Sequence, residues 1–248
     1  MKRYQGRLFC FSPPVMIATC IIESCLFVYT IWRYKLNRLT RIVTAMLLFL
    51  ALFQLAEYNV CGGYGVSAAN WSRVGFMAIT ILPPLAIHLI EVISKQSWRL
   101  LKWLAYAMAA MWVYVFGFSE MAFSGHVCAG NYVIFQLNNH FGGWYFAYYY
   151  FWLFIGIALC LYFAYKSHSR RIKESLILQL FGYLVFILPT AMANTVSPAT
   201  ISGLPSVMCG FAVLYALILV FGIVPIDNDS TIKKLLPHVA SKKAVSHK

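Results

Sequence analysis

The side chains able to do chemistry in this sequence are few, and most lie in apolar surroundings. Gln54, Glu57, Tyr58 and Cys61 recur at i, i+3, i+4 and i+7, a spacing that places four polar or reactive groups on one face of a helix. A carboxylate at the centre of a membrane helix costs about 2.5–3.5 kcal/mol on insertion scales, so Glu57 needs a physical reason to be there. One reading makes it the anionic anchor of an outward-opening pocket, supported by Tyr58 or Gln54 and suited to a cationic or hydrogen-bonding ligand. The other makes it a neutral structural carboxyl, because the protonated acid costs less in lipid. The sequence leaves both open.

Other groups fall at the same expected depth. Thr190, Asn194 and Ser197 follow one another at i, i+4 and i+7 after Pro189, and Ser202 and Ser206 begin the last apolar segment. Trp144, Tyr145, Tyr148, Tyr149, Tyr150 and Trp152 open the fifth. An interfacial belt explains such a cluster, and an aromatic wall for a ligand is the alternative. The expected ligand contacts are Glu57, Gln54, Tyr58, Asn194, Thr190, Tyr148 and Trp144. His88 and Glu91, one turn apart after Pro83-Pro84, fit either a helix-end polar contact or a relay or switch that pairs with a loop arginine. Glu23 shares a face with Thr19 and is the third possible relay group.

Cys20, Cys25, Cys160 and Cys209 lie in apolar runs and are expected to pack as small hydrophobes. Cys61 and Cys128 fall in loops on the same side and form a candidate disulfide, with Cys10 as a rival partner. His126, Cys128 and His140 are metal-ligand types, but a long loop defines no coordination geometry, so no metal is expected. Neither HExxH, GxSxG nor a glycine-rich phosphate loop occurs, and the last apolar segment lacks a lysine for a Schiff base. We expect no enzymatic activity and no cofactor.

The elements that must position these groups follow from composition. Hydrophobic residues make up 61% of 248 positions and charged ones 11%, with a mean hydropathy of +0.72, far from a soluble domain. Apolar segments at about 13–32, 42–60, 74–94, 102–119, 144–165, 175–194 and 204–225 are each long enough to span a bilayer. A seven-helix, all-α transmembrane bundle covering 1–225 is expected, followed by a basic tail at 226–248. Within the long fourth connection, the run Tyr132-Val133-Ile134-Phe135 suggests a strand or hairpin over the bundle.

The net charge of +13 sits in short clusters between apolar runs, which points to a membrane surface and away from nucleic acid. Sixteen lysines and arginines occupy the connections after helices 1, 3 and 5 and the tail, against four on the other side. The N-terminus is therefore expected outside and the C-terminus in the cytoplasm. Glu23 interrupts the first apolar run and no small-x-small site follows, so that run is read as a span and not as a cleaved signal peptide.

Seven helices in this orientation invite comparison with G-protein-coupled receptors, but DRY, CWxP and NPxxY are missing. The layout resembles the seven-helix sensory region that precedes bacterial histidine kinases. The resemblance rests on ALFQLAEY at 51–58, on Trp71 and Arg73 in WSRVGF, and on Pro83 and Pro84 in ILPPLAIHL. It covers roughly residues 15–225 and implies a multi-pass sensor in the inner (plasma) membrane of a bacterium. No kinase, PAS or cyclase domain follows the last helix, so the signal is expected to pass to a separate partner at the basic inner loops. The expected function is binding of a small ligand from outside among helices 2, 3, 5, 6 and 7. A transporter or channel subunit using Glu23, Glu57, His88 and Glu91 is the second reading. A structural or assembly protein, with Ala105 and Ala109 as a close-packing face, is the third.

Overall fold

The computed structural model describes residues 13–62, 67–119, 122–129, 132–196 and 203–228. Seven helical spans are long and apolar enough to cross a membrane. They comprise α1 (Pro13–Arg33), α2 (Arg38–Gly62), α3 (Ala68–Thr80) continuing into α4 (Leu82–Ser94), α5 (Arg99–Phe118), α6 (Asn139–Lys166), α7 (Arg170–Val196) and α8 (Leu204–Leu217). The last span runs on through a π-helical stretch, Ile218–Ile223, to Asn228. Strands β1 (Phe123–Ala129) and β2 (Tyr132–Leu137) form an antiparallel hairpin between α5 and α6, an addition to the expected helices and the one sheet among the described residues.

The expected helix starts fall short at one end of the bundle. The hydropathy boundaries at 42, 102 and 175 become Arg38, Arg99 and Arg170, because the backbone stays helical through the charged residues. Long basic side chains on an end turn reach water while their stems lie along the helix. Arg38, Arg41, Arg99, Lys102, Arg170, Arg171 and Lys173 are thus helical residues and not loop residues, and the connections that remain are short. We call this the basic end, and the opposite one the hairpin end.

The third span, expected as one helix over 74–94, begins at Ala68 and bends at Ile81. Prolines at 83 and 84 lack the amide protons that would reach back four residues. The Thr80 carbonyl, released from Pro84, accepts the Tyr148 hydroxyl at 2.9 Å. Thr80 Oγ1 donates to the Phe76 carbonyl and lies 3.2 Å from the Tyr145 hydroxyl. A helix irregularity on α3–α4 is thereby fastened to α6. At the other end of α4, Lys95 takes a left-handed conformation, φ 56°, and stops the helix.

Central α2 packs against α1, α3, α4 and α8, while α6 and α7 close the ring between α4 and α8. Aromatic rings fill the hairpin end of the core. Phe76 lies 5.2 Å from Phe116 and 5.5 Å from Tyr145, and the hairpin adds Phe135 at 5.1 Å and Phe123 at 5.2 Å. Edge-to-face contacts of this kind favour a fixed ring arrangement beyond the area they bury. On the far side of the ring, Gly182 lets α7 approach the Tyr215 ring of α8, and Gly156 lets α6 approach the Tyr183 hydroxyl of α7. Small residues at such crossings are what allow membrane helices to pack closely.

Candidate functional site

Two polar clusters occupy opposite ends of the bundle. At the hairpin end, the 3.6-residue period of α2 turns Gln54 and Glu57 inward, each about 1% exposed. Glu23 of α1 is completely buried beside them, close enough for the two carboxyls to repel each other. From α8, Ser206 hydrogen-bonds the Glu57 carboxyl, and Cys209 lies in the field of both acids. The Ser206 hydroxyl also accepts the Val133 amide of β2 at 3.4 Å. This end is therefore a chain of contacts from the hairpin through α8 to α2 and α1. Both oxygens of Glu23, Oε1 of Glu57 and Nε2 of Gln54 are buried without a hydrogen-bond partner.

At the basic end, Glu91 of α4 is buried and accepts Lys102 Nζ of α5 at 3.0 Å, with Arg38 of α2 at 3.8 Å. Arg38 also lies 3.2 Å from His88 Nε2, and His88 Nδ1 lies 3.1 Å from the Tyr106 hydroxyl. A guanidinium can only donate, so Nε2 is the acceptor and the neutral imidazole carries its proton on Nδ1, directed at Tyr106. The cluster opens into a cleft of about 420 Å³ lined by Arg38, Glu91, Lys95, Arg99 and Lys102 among others. Nearby, α8 is fastened to the start of α2 by Asn37 donating to Asp227 at 2.7 Å and by Asn228 reaching the Thr40 hydroxyl at 3.5 Å.

The space between the clusters is small and apolar. A cavity of about 30 Å³ lies among Met46, Leu82, Tyr149, Tyr183, Met208 and Tyr215, and another of about 20 Å³ among Tyr145, Tyr150, Leu204 and Met208. A water molecule needs about 10–15 Å³ measured this way and polar partners as well, so these are packing gaps. Neither is lined by Glu23 or Glu57. A scan against protein-family models gives no match, and no curated protein matches the chain.

The expected ligand contacts separate on inspection. Gln54 and Glu57 come together, with Tyr58 half-buried on the next step of the helix. Tyr148 is buried, its hydroxyl committed to the Thr80 carbonyl. Thr190, also buried, donates to the Phe186 carbonyl of its own helix at 2.6 Å, and Asn194 is half-buried one turn on. Trp144 is 76% exposed and is no wall of a pocket. It falls just outside the arc of α6 that carries the buried Tyr145, Tyr148 and Trp152, which is where an interfacial tryptophan sits. Cys61 and Cys128 form a disulfide, Cα atoms 5.8 Å apart, that ties β1 to the end of α2. Cys128 is thereby lost as a metal ligand. Cys10, Ser197, Ser202 and the segment 229–248 lie outside the described residues, and of His140 only the backbone is described.

The three relay candidates do not form one group. Glu23 belongs with Glu57, whereas His88 and Glu91 belong to the basic end, where Arg38 supplies the pairing arginine. Arg38, Lys102 and Tyr106 were missing from the expected site because the cations read as topology signals. Lys102 did carry a second signal. It shares the periodicity of Ala105, Ala109, Trp112 and Phe116, all buried on one face of α5. Of the four cysteines expected inside, Cys160 and Cys209 are buried, Cys20 is partly so, and Cys25 is exposed on α1.

Proposed function

We propose that this protein is a seven-span membrane sensor that reads a small ligand at the hairpin end and presents the result at the basic end. The reading places the N-terminus and hairpin outside, and the basic end in the cytoplasm of a bacterial cell with the protein in its inner (plasma) membrane. A cytoplasmic partner would then meet Arg38, Lys95, Arg99 and Lys102. The observation that carries this reading is the continuity of the α8 span. One end bonds the hairpin and Glu57 through Ser206, and the other bonds α2 through Asp227 and Asn228. Between them lies the π-helical stretch Ile218–Ile223, a kind of irregularity frequent at functional sites. A change in how the hairpin seats can shift α8 as a body, and a ligand acts by favouring one of two seatings.

The two alternative readings fare less well. Transport requires ionisable groups along one polar path, whereas the gaps between the clusters are lined by apolar and aromatic side chains. An assembly role through Ala105 and Ala109 requires that face to be free, and both are buried within this chain.

The test is amide hydrogen exchange on the protein in lipid nanodiscs. Ser206→Ala is expected to speed exchange in the hairpin at 132–137 and also at 224–228 and 38–40, about five helical turns further along the α8 span and at its α2 partner. Leu214→Ala, on the exposed side of the same helix, is expected to change neither. Faster exchange confined to the hairpin would mean that the ends are uncoupled and would overturn the sensor reading. Solute flux in proteoliposomes would replace it with transport.

A further inference from the structure

The cleft at the basic end gathers more positive charge than its single acid offsets. Its volume of about 420 Å³ lies within the roughly 300–1,000 Å³ of small-molecule sites. Three helices supply its walls: Arg38 begins α2, Lys95 caps the end of α4, and Arg99 and Lys102 lie in the first turn of α5. Glu91 is the one acid lining it, and Lys102 Nζ at 3.0 Å is committed to that carboxyl. Arg38 is held 3.2 Å from His88 and 3.8 Å from Glu91, with its side chain still 64% exposed. Lys95 and Arg99 are exposed, and among the described residues neither forms an ion pair. The first turn of α5 adds to the imbalance, because it holds no acidic residue and Trp98 at its cap makes no side-chain bond to the opening amides. A helix start left open in this way favours an anion.

We propose that this cleft binds a phosphate ester, carried by an anionic membrane lipid or by a soluble molecule. Cations converge on it from three elements, which suits a tetrahedral phosphate with oxygens in several directions better than a planar carboxylate. Arg38 and Arg99 supply guanidinium forks and Lys95 a point charge, and Gln96 and Ser97 add neutral donors from the connection between α4 and α5. The lipid source has a second observation behind it. Leu100, Trp103 and Leu104, on the same opening stretch of α5, are 84%, 66% and 50% exposed, so an apolar face suited to acyl chains begins beside the cleft. Basic pockets between membrane helices take lipid headgroups in this arrangement. A general positive surface would treat every cation at this end alike. The cleft does not, because Arg171 and Lys173 carry the same charge on α7 and stand outside it. The inference rests on the charge and shape of the cleft, and it stands whether or not the two ends of the molecule communicate as the sensor reading requires.

The probes are glycerol 1-phosphate and dioleoyl phosphatidylglycerol. The full-length protein is melted with each at constant ionic strength in a maltoside detergent, which contains no phosphate, and retained lipid is counted by native mass spectrometry. A saturating probe is expected to raise the melting temperature by roughly 5 °C, since a ligand bound by the folded state alone stabilises it. A shift with the lipid alone identifies a headgroup as the source, and a shift with glycerol 1-phosphate identifies a soluble ester. Lys95→Gln and Arg99→Gln are each expected to weaken binding about tenfold, the loss of one charge-assisted bond, while Arg171→Gln and Lys173→Gln leave it unchanged. Should either cleft variant fail to fold, retention of phosphatidylglycerol by the unaltered protein in preference to oleate decides the matter. No shift with either probe would overturn the proposal. So would an equal shift with oleate, an anionic lipid without phosphate, or equal weakening by all four substitutions.

Discussion

Replacing Lys102 by methionine leaves the Glu91 carboxyl buried without the ammonium that stands 3.0 Å away, and with Arg38 only at 3.8 Å. Breaking a buried pair from one side costs about 3–5 kcal/mol because the remaining charge is uncompensated. Lys102→Met is therefore expected to lower the melting temperature sharply, and Lys102→Met with Glu91→Gln to recover most of the loss. Recovery of nothing would mean that the lysine stem, not its charge, matters at this position. Gly182 supplies a second test. A Cβ there runs into the Tyr215 ring, so Gly182→Ala should destabilise by about 1–3 kcal/mol, whereas Gly143→Ala meets open space and should stay close to neutral in the same melting assay. What could be read at this scale was direction along a helix: the period placed Gln54 and Glu57 on an inward face, whereas Lys102 read as a loop charge although it shares the period of the buried face of α5. It could not say which inward faces meet. Glu23 was legible as a buried acid, but its neighbour depends on how α1 packs on α2, a long-range fact with no local signal.

The hairpin is the element whose contribution can be removed most cleanly. Its inward side chains, Val133 and Phe135, are buried against α8 and the Phe76 cluster, and the Cys61–Cys128 bridge closes a separation of 67 residues. Loop closure of that length is worth about 4 kcal/mol on the chain-entropy model, an upper bound here because membrane insertion already limits the unfolded chain. Cys128→Ser, or reductant added to the unaltered protein, should lower the melting temperature and speed amide exchange first in 123–137. Unchanged exchange there would show that ring packing alone seats the hairpin. The existence of each span was legible because a bilayer demands about 20 apolar residues. The ends were less so, since Arg38, Arg99 and Arg170 continue helices that a hydropathy window cuts short. The bend at Ile81 was signalled by Pro83-Pro84, yet its outcome, a carbonyl handed to Tyr148, required knowing that α6 lies opposite.

Across the whole molecule, charge is distributed so that one orientation is much the cheaper. Arg38, Arg41, Lys95, Arg99, Lys102, Lys166, Arg170, Arg171 and Lys173 all stand at one end of the bundle, while Arg73 belongs near the other. Lysine and arginine close to span ends are retained on the cytoplasmic side, so the proposed orientation puts the hairpin end outside and the disulfide in an oxidising space. The assignment can be read directly with single cysteines added at exposed serines of each end, Ser124 on β1 and Ser169 before α7. In intact cells a membrane-impermeant maleimide should label Ser124→Cys above the level of the unaltered protein, and should label Ser169→Cys only after permeabilisation. The reverse pattern would invert the molecule, put the Cys61–Cys128 bridge in a reducing compartment and turn the basic cleft of Arg38, Lys95 and Lys102 towards the outside. The proposed direction of signalling would then fail, although the coupling of the two ends through α8 would still be open to the exchange measurement.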